Sequence, residues 1–180
     1  NYEGEIRVII AKKTLAELRK LTDTHLDFDL DENNLFFRSG HRILISRLIE
    51  TKFPNFEAVI PKNNPIILHL DREAFINAIR RVALLSTEKS RAIKLEIEKN
   101  SLRLFSSNPE IGEASDEIEV DHQGADINIG FNSQYLLDFL VSVESPKVRF
   151  ELKDENSAAL MTPEEVEGLH YLYVVMPMKF

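Results

Sequence analysis

The side chains best placed for chemistry in this sequence are three aspartates at alternate positions, Asp27, Asp29 and Asp31. That spacing is typical of the start of an EF-hand calcium loop, in which carboxylate oxygens surround the ion. The loop also needs glycine and glutamate further along, and this sequence has Glu32 and Arg38 at those positions. We therefore predict that the alternation marks a strand with one wet face and that no calcium site is present.

The other reactive side chains are scattered. The five histidines lack the spacing and the clustered carboxylates of a zinc site: His25, His41, His69, His122 and His170. Ser46, Ser86 and Ser133 have no nucleophile-elbow context. The six glycines are isolated, so no phosphate-binding loop is present. We expect a protein that is not an enzyme and that uses no metal and no cofactor.

The elements that would position these side chains recur, and the helices begin near Lys12, Asp71 and Asn132, a period of roughly sixty residues. Each repeat has the order strand, helix, strand, strand, strand. The first is predicted at Ile6–Ile10, Lys12–Leu21, Leu26–Leu30, Leu35–Ser39 and Ile43–Ile49. The second is predicted at Ile66–Leu70, a helix capped by Asp71 and running to about Ser86, Ala92–Glu98, Leu102–Ser106 and Glu117–Val120.

The third repeat is predicted at Ile127–Phe131, a helix capped by Asn132 or Ser133 and ended by Pro146, and strands at Val148–Leu152, Ala158–Met161 and Leu169–Val175. The inward residues of its helix are predicted to be Tyr135, Leu136, Phe139, Leu140 and Val143. A βαβββ unit leaves apolar surface on its sheet and helix, so it must pair with another. Residues 62–180 contain a complete pair and residues 1–61 contain half of one. The pattern also fits an unspecialised two-domain α+β protein.

The bulk composition excludes several classes of protein. The chain has 180 residues, no cysteine and a net charge of −8, so disulfides and thiolate metal sites are excluded and a reducing cytoplasm is expected. Its apolar runs are too short to span a membrane, and no signal peptide is visible. The missing initiator Met suggests a chain cut from a longer protein. The negative charge argues against a protein that grips nucleic acid by net charge.

Charge is nevertheless unevenly distributed. Glu110–Asp126 contains seven carboxylates and no Lys or Arg. The outward faces of the first two helices are instead basic, with Lys12, Lys13, Arg19, Lys20, Arg72, Arg80 and Arg81. A basic helical layer on an acidic body suggests helices that face a polyanion. An ordinary solvated helix face is the alternative.

Several motifs resemble those of the bacterial DNA polymerase III beta subunit, the beta sliding clamp. The last eight residues, YVVMPMKF, resemble the family's terminal Tyr-Val-Val-Met-Pro-Met followed by a basic and an apolar residue. Lys52–Lys62 resembles the family's connector between its second and third domains. Three further segments fit in order and spacing: Leu84–Arg91, Ser107–Glu110 and Ile129–Asn132. The resemblance covers essentially the whole chain.

The resemblance implies a DNA clamp fold of the α+β class, with repeated βαβββ units, helices on the inner face and antiparallel sheets outside. Residues 1–61 would be the second half of the middle domain and residues 62–180 the complete third domain. Two full-length protomers would close into a ring around duplex DNA, contacted without sequence preference. The implied function is processivity in DNA replication: the ring tethers DNA polymerase III through its alpha subunit, and also binds the clamp loader and other proteins that carry a clamp-binding motif.

The resemblance also implies site residues. The partner-peptide pocket would contain Pro54, Val59, Asn132, Tyr135, Val174, Val175, Met176, Pro177 and Met178. Methionine is adaptable, which suits a site with many ligands. The dimer interface would use Leu84, Leu85, Glu110, Glu113 and Asp116. The family segment that forms the other pocket wall is missing, and Ala58 stands where some members have Arg.

Two competing hypotheses come from other classes of protein. A nuclease or polymerase would need metal-binding carboxylates in a cleft, and the sequence suggests none. A peptide-binding scaffold with no role on DNA would have no continuous basic helical face.

Overall fold

A computed structural model describes residues 6–21, 25–51, 55–87, 90–122, 124–164, 168 and 170–179. The chain divides into two compact units, residues 1–55 and residues 56–180, which we call unit 1 and unit 2. Within the described residues, no helix is both long enough and apolar enough to cross a membrane. Some residues of the predicted strands, motifs and sites lie outside the described residues: Lys52, Phe53, Pro54, Glu88, Lys89, Leu169 and Phe180.

Unit 1 contains one helix and a three-stranded antiparallel sheet. Helix α1 spans Lys12–Leu21, and the strands are β1 (Asp27–Leu30), β2 (Asn34–Ser39) and β3 (Arg42–Arg47), in the order β1-β2-β3. The first turn forms because the Asp31 carboxylate accepts the backbone N–H groups of Asn33 and Asn34 at 2.8 and 2.7 Å. The second turn uses Gly40 at φ 59°, a conformation that costs glycine little.

The core of unit 1 lies between α1 and one face of the sheet. Leu35 and Phe37 are buried on that face, and the Phe37 ring lies 5.4 Å from the ring of Phe28. Thr14, the buried residue of α1, shares a hydrogen bond of 2.7 Å with Ser46 of β3. Phe28 remains 42% exposed, so one side of this core is open to water.

The predicted strand at Ile6–Ile10 is wrong for this structure. These residues belong to no sheet within the described part of the chain, and the Ile49 N–H donates to the Ile9 carbonyl at 3.4 Å. A β-branched run favours a strand, but a strand also needs a neighbour that pairs with it residue by residue. The sequence of Ile6–Ile10 is typical of a strand, but no strand of the described residues pairs with it.

Unit 2 contains two successive βαβββ halves. The first half comprises β4 (Ile66–Asp71), α2 (Arg72–Ala83), β5 (Ala92–Glu98), β6 (Ser101–Asn108) and β7 (Gly112–Glu119). The second half comprises β8 (Ile127–Asn132), α3 (Ser133–Leu140), β9 (Lys147–Leu152), β10 (Ala159–Pro163) and β11 (Tyr173–Val175). The predicted repeat is therefore present in full in this unit.

The two halves of unit 2 exchange their first strands. One sheet has the order β7-β6-β5-β8 and the other the order β11-β10-β9-β4, so each contains the first strand of the opposite half. Both exchanged strands are antiparallel to their neighbours, with Asn132 opposite Ala92 and Asp71 opposite Lys147. Helices α2 and α3 pack beside each other. The exchange joins the halves into one core.

That core is large and fully enclosed. Phe75, Phe131, Phe139 and Phe150 are completely buried, and the ring of Phe150 lies 5.6 Å from that of Phe131 and 6.3 Å from that of Phe75. Such aromatic pairs stabilise a core beyond their area burial. Because these phenylalanines come from α2, β8, α3 and β9, the core ties both halves together.

Several predicted details of unit 2 were wrong. Strand β7 spans Gly112–Glu119 where Glu117–Val120 was predicted, and β11 spans Tyr173–Val175 of the predicted Leu169–Val175. Helix α2 ends at Ala83 and not near Ser86, whose hydroxyl turns back to donate to the Ala83 carbonyl at 2.8 Å. Helix α3 ends at Leu140, well before Pro146. Val143 lies in the loop that follows the helix, and its side chain is buried. Tyr135 was predicted to face inward, but it is 54% exposed. At the two helix ends, the apolar periodicity continued past the point where local hydrogen bonds end the helix.

Candidate functional site

An apolar cleft of about 440 Å³ opens on the surface of unit 2. One wall comes from the segment that follows Asn55, where a short 3-10 turn at Phe56–Ala58 is closed by the Val59 N–H donating to the Phe56 carbonyl at 3.1 Å. The other wall precedes and includes β11. The lining residues are Phe56, Val59, Ile60, His170, Tyr171, Leu172 and Val174. A largely apolar cleft of this size suits a few apolar side chains of a ligand.

Aromatic packing holds the C-terminal wall in place. The ring of the fully buried Phe139 in α3 lies 5.5 Å from the ring of Tyr171 and 5.3 Å from that of Tyr173. The Tyr171 hydroxyl shares a hydrogen bond of 3.3 Å with Ser142. Partial burial raises the pKa of Tyr173, and the nearby Asp138 carboxylate raises it further. The wall is therefore anchored to α3.

The end of the chain presents a methionine to solvent. Val175 is buried and lies opposite Ala159 in the β10–β11 pair. Met176 is 63% exposed, and Pro177 is half-buried. The Met178 N–H then donates to the Gly130 carbonyl at 2.8 Å, which fastens the tail to β8. An exposed, flexible thioether between two anchored positions can adapt to an apolar ligand.

Asn132 and Tyr135 lie at the start of α3. The Asn132 side chain caps the helix by accepting the Gln134 N–H at 2.9 Å, and its amide donates to the Ser90 carbonyl at 3.3 Å. Its polar groups therefore already hold structural bonds. Tyr135 is exposed and can offer its ring and hydroxyl to a ligand at the surface.

Only some of the predicted pocket residues line the apolar cleft. Val59 and Val174 line it together. Met178 lines a different, more polar cavity of about 440 Å³, together with Lys94, Asn128, Ile129, Gly130, Glu155, Asn156 and Lys179. Sequence reasoning missed Phe56, Ile60 and the run His170–Leu172. The sequence contained a signal for them, because Tyr171 and Leu172 directly precede the C-terminal motif and Phe56 follows the proline of the connector motif.

The predicted DNA-facing residues of unit 1 are solvated. Lys12, Lys13, Arg19 and Lys20 are all exposed on α1. The Lys20 ammonium lies 2.8 Å from the Glu17 carboxylate, and this contact lowers the pKa of Glu17. Lys12 and Lys13 occupy the first turn of the helix, which contains no acidic residue. Together with the helix dipole they give this end a positive potential.

The predicted basic residues of unit 2 differ from one another. Arg72 is largely buried and donates to the Leu140 carbonyl at 3.1 Å and to Glu73 at 2.6 Å, so it joins α2 to the end of α3. Arg81 forms an ion pair of 2.5 Å with Asp116 of β7. Arg80 is exposed. Arg81 is exposed as well, at 61% of its side chain, so Arg72 is the one of the three that is withdrawn from solvent.

A third surface carries the predicted interface residues. Leu84 is 79% exposed just past the end of α2, and Leu85 beside it is half-buried. Leu84 lines a shallow cleft with residues that include Arg91 and Leu137. Glu110 and Glu113 are exposed near the β6–β7 turn, whereas Asp116 is bound to Arg81. A single exposed leucine is common on protein surfaces, so the interface role of Leu84 and Leu85 stays a prediction.

No group of three or more His, Asp or Glu residues in the described part of the chain is placed to hold a metal ion. Comparison with known proteins gives matches in both units of the chain. The family model for the C-terminal domain of the DNA polymerase III beta subunit matches residues 57–179, and the model for the central domain of the same protein matches residues 1–55.

Curated relatives and solved structures agree with these matches. The chain is 37% identical to the beta sliding clamp of Caulobacter vibrioides strain NA1000 and 34% identical to that of Escherichia coli strain K12, over 96% of its own length and 46% and 47% of theirs. It is similar to the Bartonella birtlesii sliding clamp bound to griselimycin, with a TM-score of 0.87, 34% identity and coverage of 96% and 47%. It is also similar to a DNA polymerase sliding clamp from Pseudomonas aeruginosa, with a TM-score of 0.85 and 36% identity. That match covers 96% of this chain and 48% of the other.

The chain thus spans about half the length of the curated relatives it matches. Both of its units match consecutive domain models of one family, and the relatives align with it almost from end to end. The chain belongs to the DNA polymerase III beta subunit family of sliding clamps.

Proposed function

We propose that this chain is part of a ring-shaped processivity factor that encircles duplex DNA and tethers DNA polymerase III and other partners. Partners would bind through a short peptide that carries Gln and a Leu-Phe-like apolar pair. The whole ring would hold DNA by topology, so the helix cations need only weak, sequence-independent phosphate contacts. The parent protein would be a homodimer joined through Leu84, Leu85 and the acids of β7 and the preceding turn.

The apolar cleft of unit 2 is the observation that carries this proposal. It combines Val59 of the connector motif with Val174 of the C-terminal motif, although the two lie far apart in the sequence. Met176 stands exposed two residues beyond Val174. Two apolar side chains of a peptide could enter the cleft while its backbone follows the C-terminal tail.

A peptide titration tests the site. A fluorescent peptide with Gln and a Leu-Phe pair should bind the 180-residue chain with a Kd of roughly micromolar or weaker, because a short peptide buries little area and loses conformational entropy on binding. Val59→Asp places a charge in the apolar cleft and should abolish measurable binding. Met176→Ala should weaken binding by about 1–3 kcal/mol if the thioether becomes buried against the peptide.

Matched controls keep the titration specific. Leu84→Ala removes an apolar side chain that is even more exposed than Val59 or Met176 and lies outside the cleft, so it should leave the peptide Kd unchanged. Griselimycin, the compound in the Bartonella birtlesii clamp structure, is a second probe, and we expect Val59→Asp to weaken its binding as well. Equal affinity of Val59→Asp and the parent chain for both probes would contradict the proposed site.

The DNA contact needs a separate test. The 180-residue chain should bind linear duplex DNA more weakly than micromolar at physiological salt, because few phosphate contacts are available. Replacing both Lys12 and Lys13 with Glu should weaken that binding further and lower the salt slope by about one unit per lost contact. Lys153→Glu changes an exposed charge outside the helices and serves as the control. Submicromolar binding, or an equal effect of Lys153→Glu, would contradict a DNA-facing helix.

A further inference from the structure

One wall of the apolar cleft, which we call the connector wall, is formed by residues 56–60 and continues along the chain to β4 of the same unit. Phe56 and Val59 are mostly exposed, and the bond that closes their turn, from the Val59 N–H to the Phe56 carbonyl, is local to the wall. A surface turn with so little burial is held in place chiefly by what fixes its ends. The residues between the wall and β4 therefore decide where Val59 lies.

Asn64 lies between the connector wall and β4 and is fixed to the body of unit 2. It is only 5% exposed, and its Nδ2 group donates to the Glu151 carbonyl at 3.1 Å and to the Ala158 carbonyl at 3.4 Å. Glu151 belongs to β9 and Ala158 directly precedes β10, so one amide bridges the two sides of the β9–β10 hairpin. Buried hydrogen bonds between residues so distant in sequence fix one segment against another.

The link between the connector wall and Asn64 is stiff. Pro61 fixes its own φ and disfavours helical dihedrals at Ile60, and Pro65 has the same effect on Asn64. Asn63 has φ 63°, a left-handed conformation that asparagine adopts more readily than most residues. Because these dihedral angles are restricted, the position of Asn64 largely determines the position of the connector wall.

The β9–β10 hairpin also holds the opposite wall of the cleft. Val174 of β11 lines the cleft and lies opposite Leu160 of β10. Leu160 in turn lies opposite Glu151 of β9, whose carbonyl accepts the Asn64 bond. Both walls are therefore attached to one hairpin, one through strand pairing and the other through the Asn64 side chain. The separation of Val59 and Val174 across the cleft depends on that side chain.

We propose that Asn64 is a positioning residue for the apolar cleft. It holds the connector wall at the separation from β11 that the apolar pair of a partner peptide needs, and it does so without touching the peptide. If its two bonds were lost, the wall would have to be ordered when the peptide binds, and the lost conformational entropy would weaken the complex. This inference rests on the proposed function, because it takes the cleft as the peptide site.

Asn64→Leu tests this role in the fluorescent-peptide titration of the 180-residue chain. The substitution roughly keeps the side-chain volume and removes both donors. Because no described residue donates to the Asn64 Oδ1, it also removes a buried acceptor that lacks a partner, so the fold should tolerate it. We expect the peptide Kd to rise about tenfold.

Two further variants make the titration specific. Asn156→Leu replaces an exposed amide of the β9–β10 turn and should leave the peptide Kd unchanged. Pro61→Gly leaves the Asn64 bonds in place and loosens the link to the connector wall, so it should weaken binding as well. Thermal unfolding of each variant shows that the titrated protein is folded, and Pro61→Gly keeps the test available if Asn64→Leu does not fold.

A double-mutant cycle separates positioning from a general loss of stability. In a Val59→Ala background, Asn64→Leu should raise the Kd by about threefold or less, because a displaced connector wall then has less contact to lose. In a Val174→Ala background, which alters the opposite wall, it should still raise the Kd about tenfold. Equal losses in the two backgrounds, or a parent-like Kd for Asn64→Leu and Pro61→Gly, would overturn the positioning role, although lost binding in Val59→Asp would still support the cleft as the peptide site. Parent-like binding by Val59→Asp would overturn both the proposed function and this inference.

Discussion

Unit 2 contains the βαβββ repeat twice, whereas unit 1 contains its αβββ part once. In unit 2 the two halves exchange strands and enclose four fully buried phenylalanines. In unit 1 a single half leaves Phe28 42% exposed. The repeat is therefore half of a folding unit, since its apolar stripe and its first strand both need a second repeat.

The two units also differ in how their helices are capped at the N-terminus. Asp71 and Asn132 cap α2 and α3 by accepting backbone N–H groups at 2.8 and 2.9 Å. At the equivalent position before α1 stands Ala11, whose methyl group cannot accept a hydrogen bond. Lys12 and Lys13 follow it, and their charges oppose the helix dipole. The first turn of α1 is therefore less stable than those of α2 and α3, and it carries two positive charges.

Truncating a core phenylalanine in each unit should change the free energy of unfolding most. Phe150→Ala should lower the free energy of unfolding of unit 2 by about 3–5 kcal/mol, because it empties a fully enclosed site. Phe37→Ala in unit 1 should cost less, on the order of 2 kcal/mol, since its half-open surroundings can relax. Hydrogen exchange measured peptide by peptide reports each unit separately. Phe150→Leu, which keeps most of the volume, is the control and should cost about 1.5 kcal/mol or less.

A smaller effect is expected at the helix caps. Asp71→Ala should destabilise unit 2 by about 1 kcal/mol, whereas Asp71→Asn, which retains the accepting oxygen, should be nearly neutral. Ala11→Asp should do the reverse in unit 1 and stabilise α1 by about 1 kcal/mol. Chemical denaturation followed by circular dichroism measures all three. If Ala11→Asp destabilised the chain, the first turn of α1 would not be the uncapped end that the comparison implies.

The parts of the fold set by local chemistry were predictable from the sequence. The spacing of Leu15, Leu18 and Leu21 located α1, and Asp71 located the start of α2. The strand at Ile6–Ile10 failed because pairing depends on a partner that no local pattern describes. The ends of α2 and α3 were missed because Leu85 and Val143 continue a helical apolar pattern after the helix has ended.

The candidate site was predicted less completely than the fold. The resemblance named Val59 and Val174, which do line one cleft, but not the run His170–Leu172 beside them. Those side chains reach the cleft because Phe139 packs against Tyr171 and Tyr173, a contact between distant segments. The role of the remaining pocket, interface and DNA-facing residues stays a prediction, as does the domain division after Pro61.

The smallest expected effect concerns acid sensitivity of two similar turns, one in each unit. The Asp31 turn of unit 1 accepts the Asn33 N–H and the Asn34 side chain, and these bonds lower the pKa of Asp31. The Asp154 turn of unit 2 accepts the Ser157 hydroxyl and the Asn156 N–H, and the pKa of Asp154 is lowered as well. A carboxyl whose folded-state pKa is lowered stabilises the fold above its unfolded pKa of about 3.9. That contribution is lost as the pH falls through the lower, folded-state value.

Unit 1 should respond to acid first, because a second lowered carboxyl, Asp27, is bound to Arg38 in the same small sheet. Carboxyl-carbon NMR titration should place the midpoints of Asp27, Asp31 and Asp154 below about 3.9. Asp31→Asn keeps an oxygen that can accept the turn's backbone bonds, so it should preserve the turn and reduce the acid sensitivity of unit 1. Asp154→Asn is its counterpart in unit 2 and should change little, since the enclosed core dominates the stability there. A midpoint for Asp31 at or above the ordinary aspartate value would show that its turn bonds are not maintained in solution.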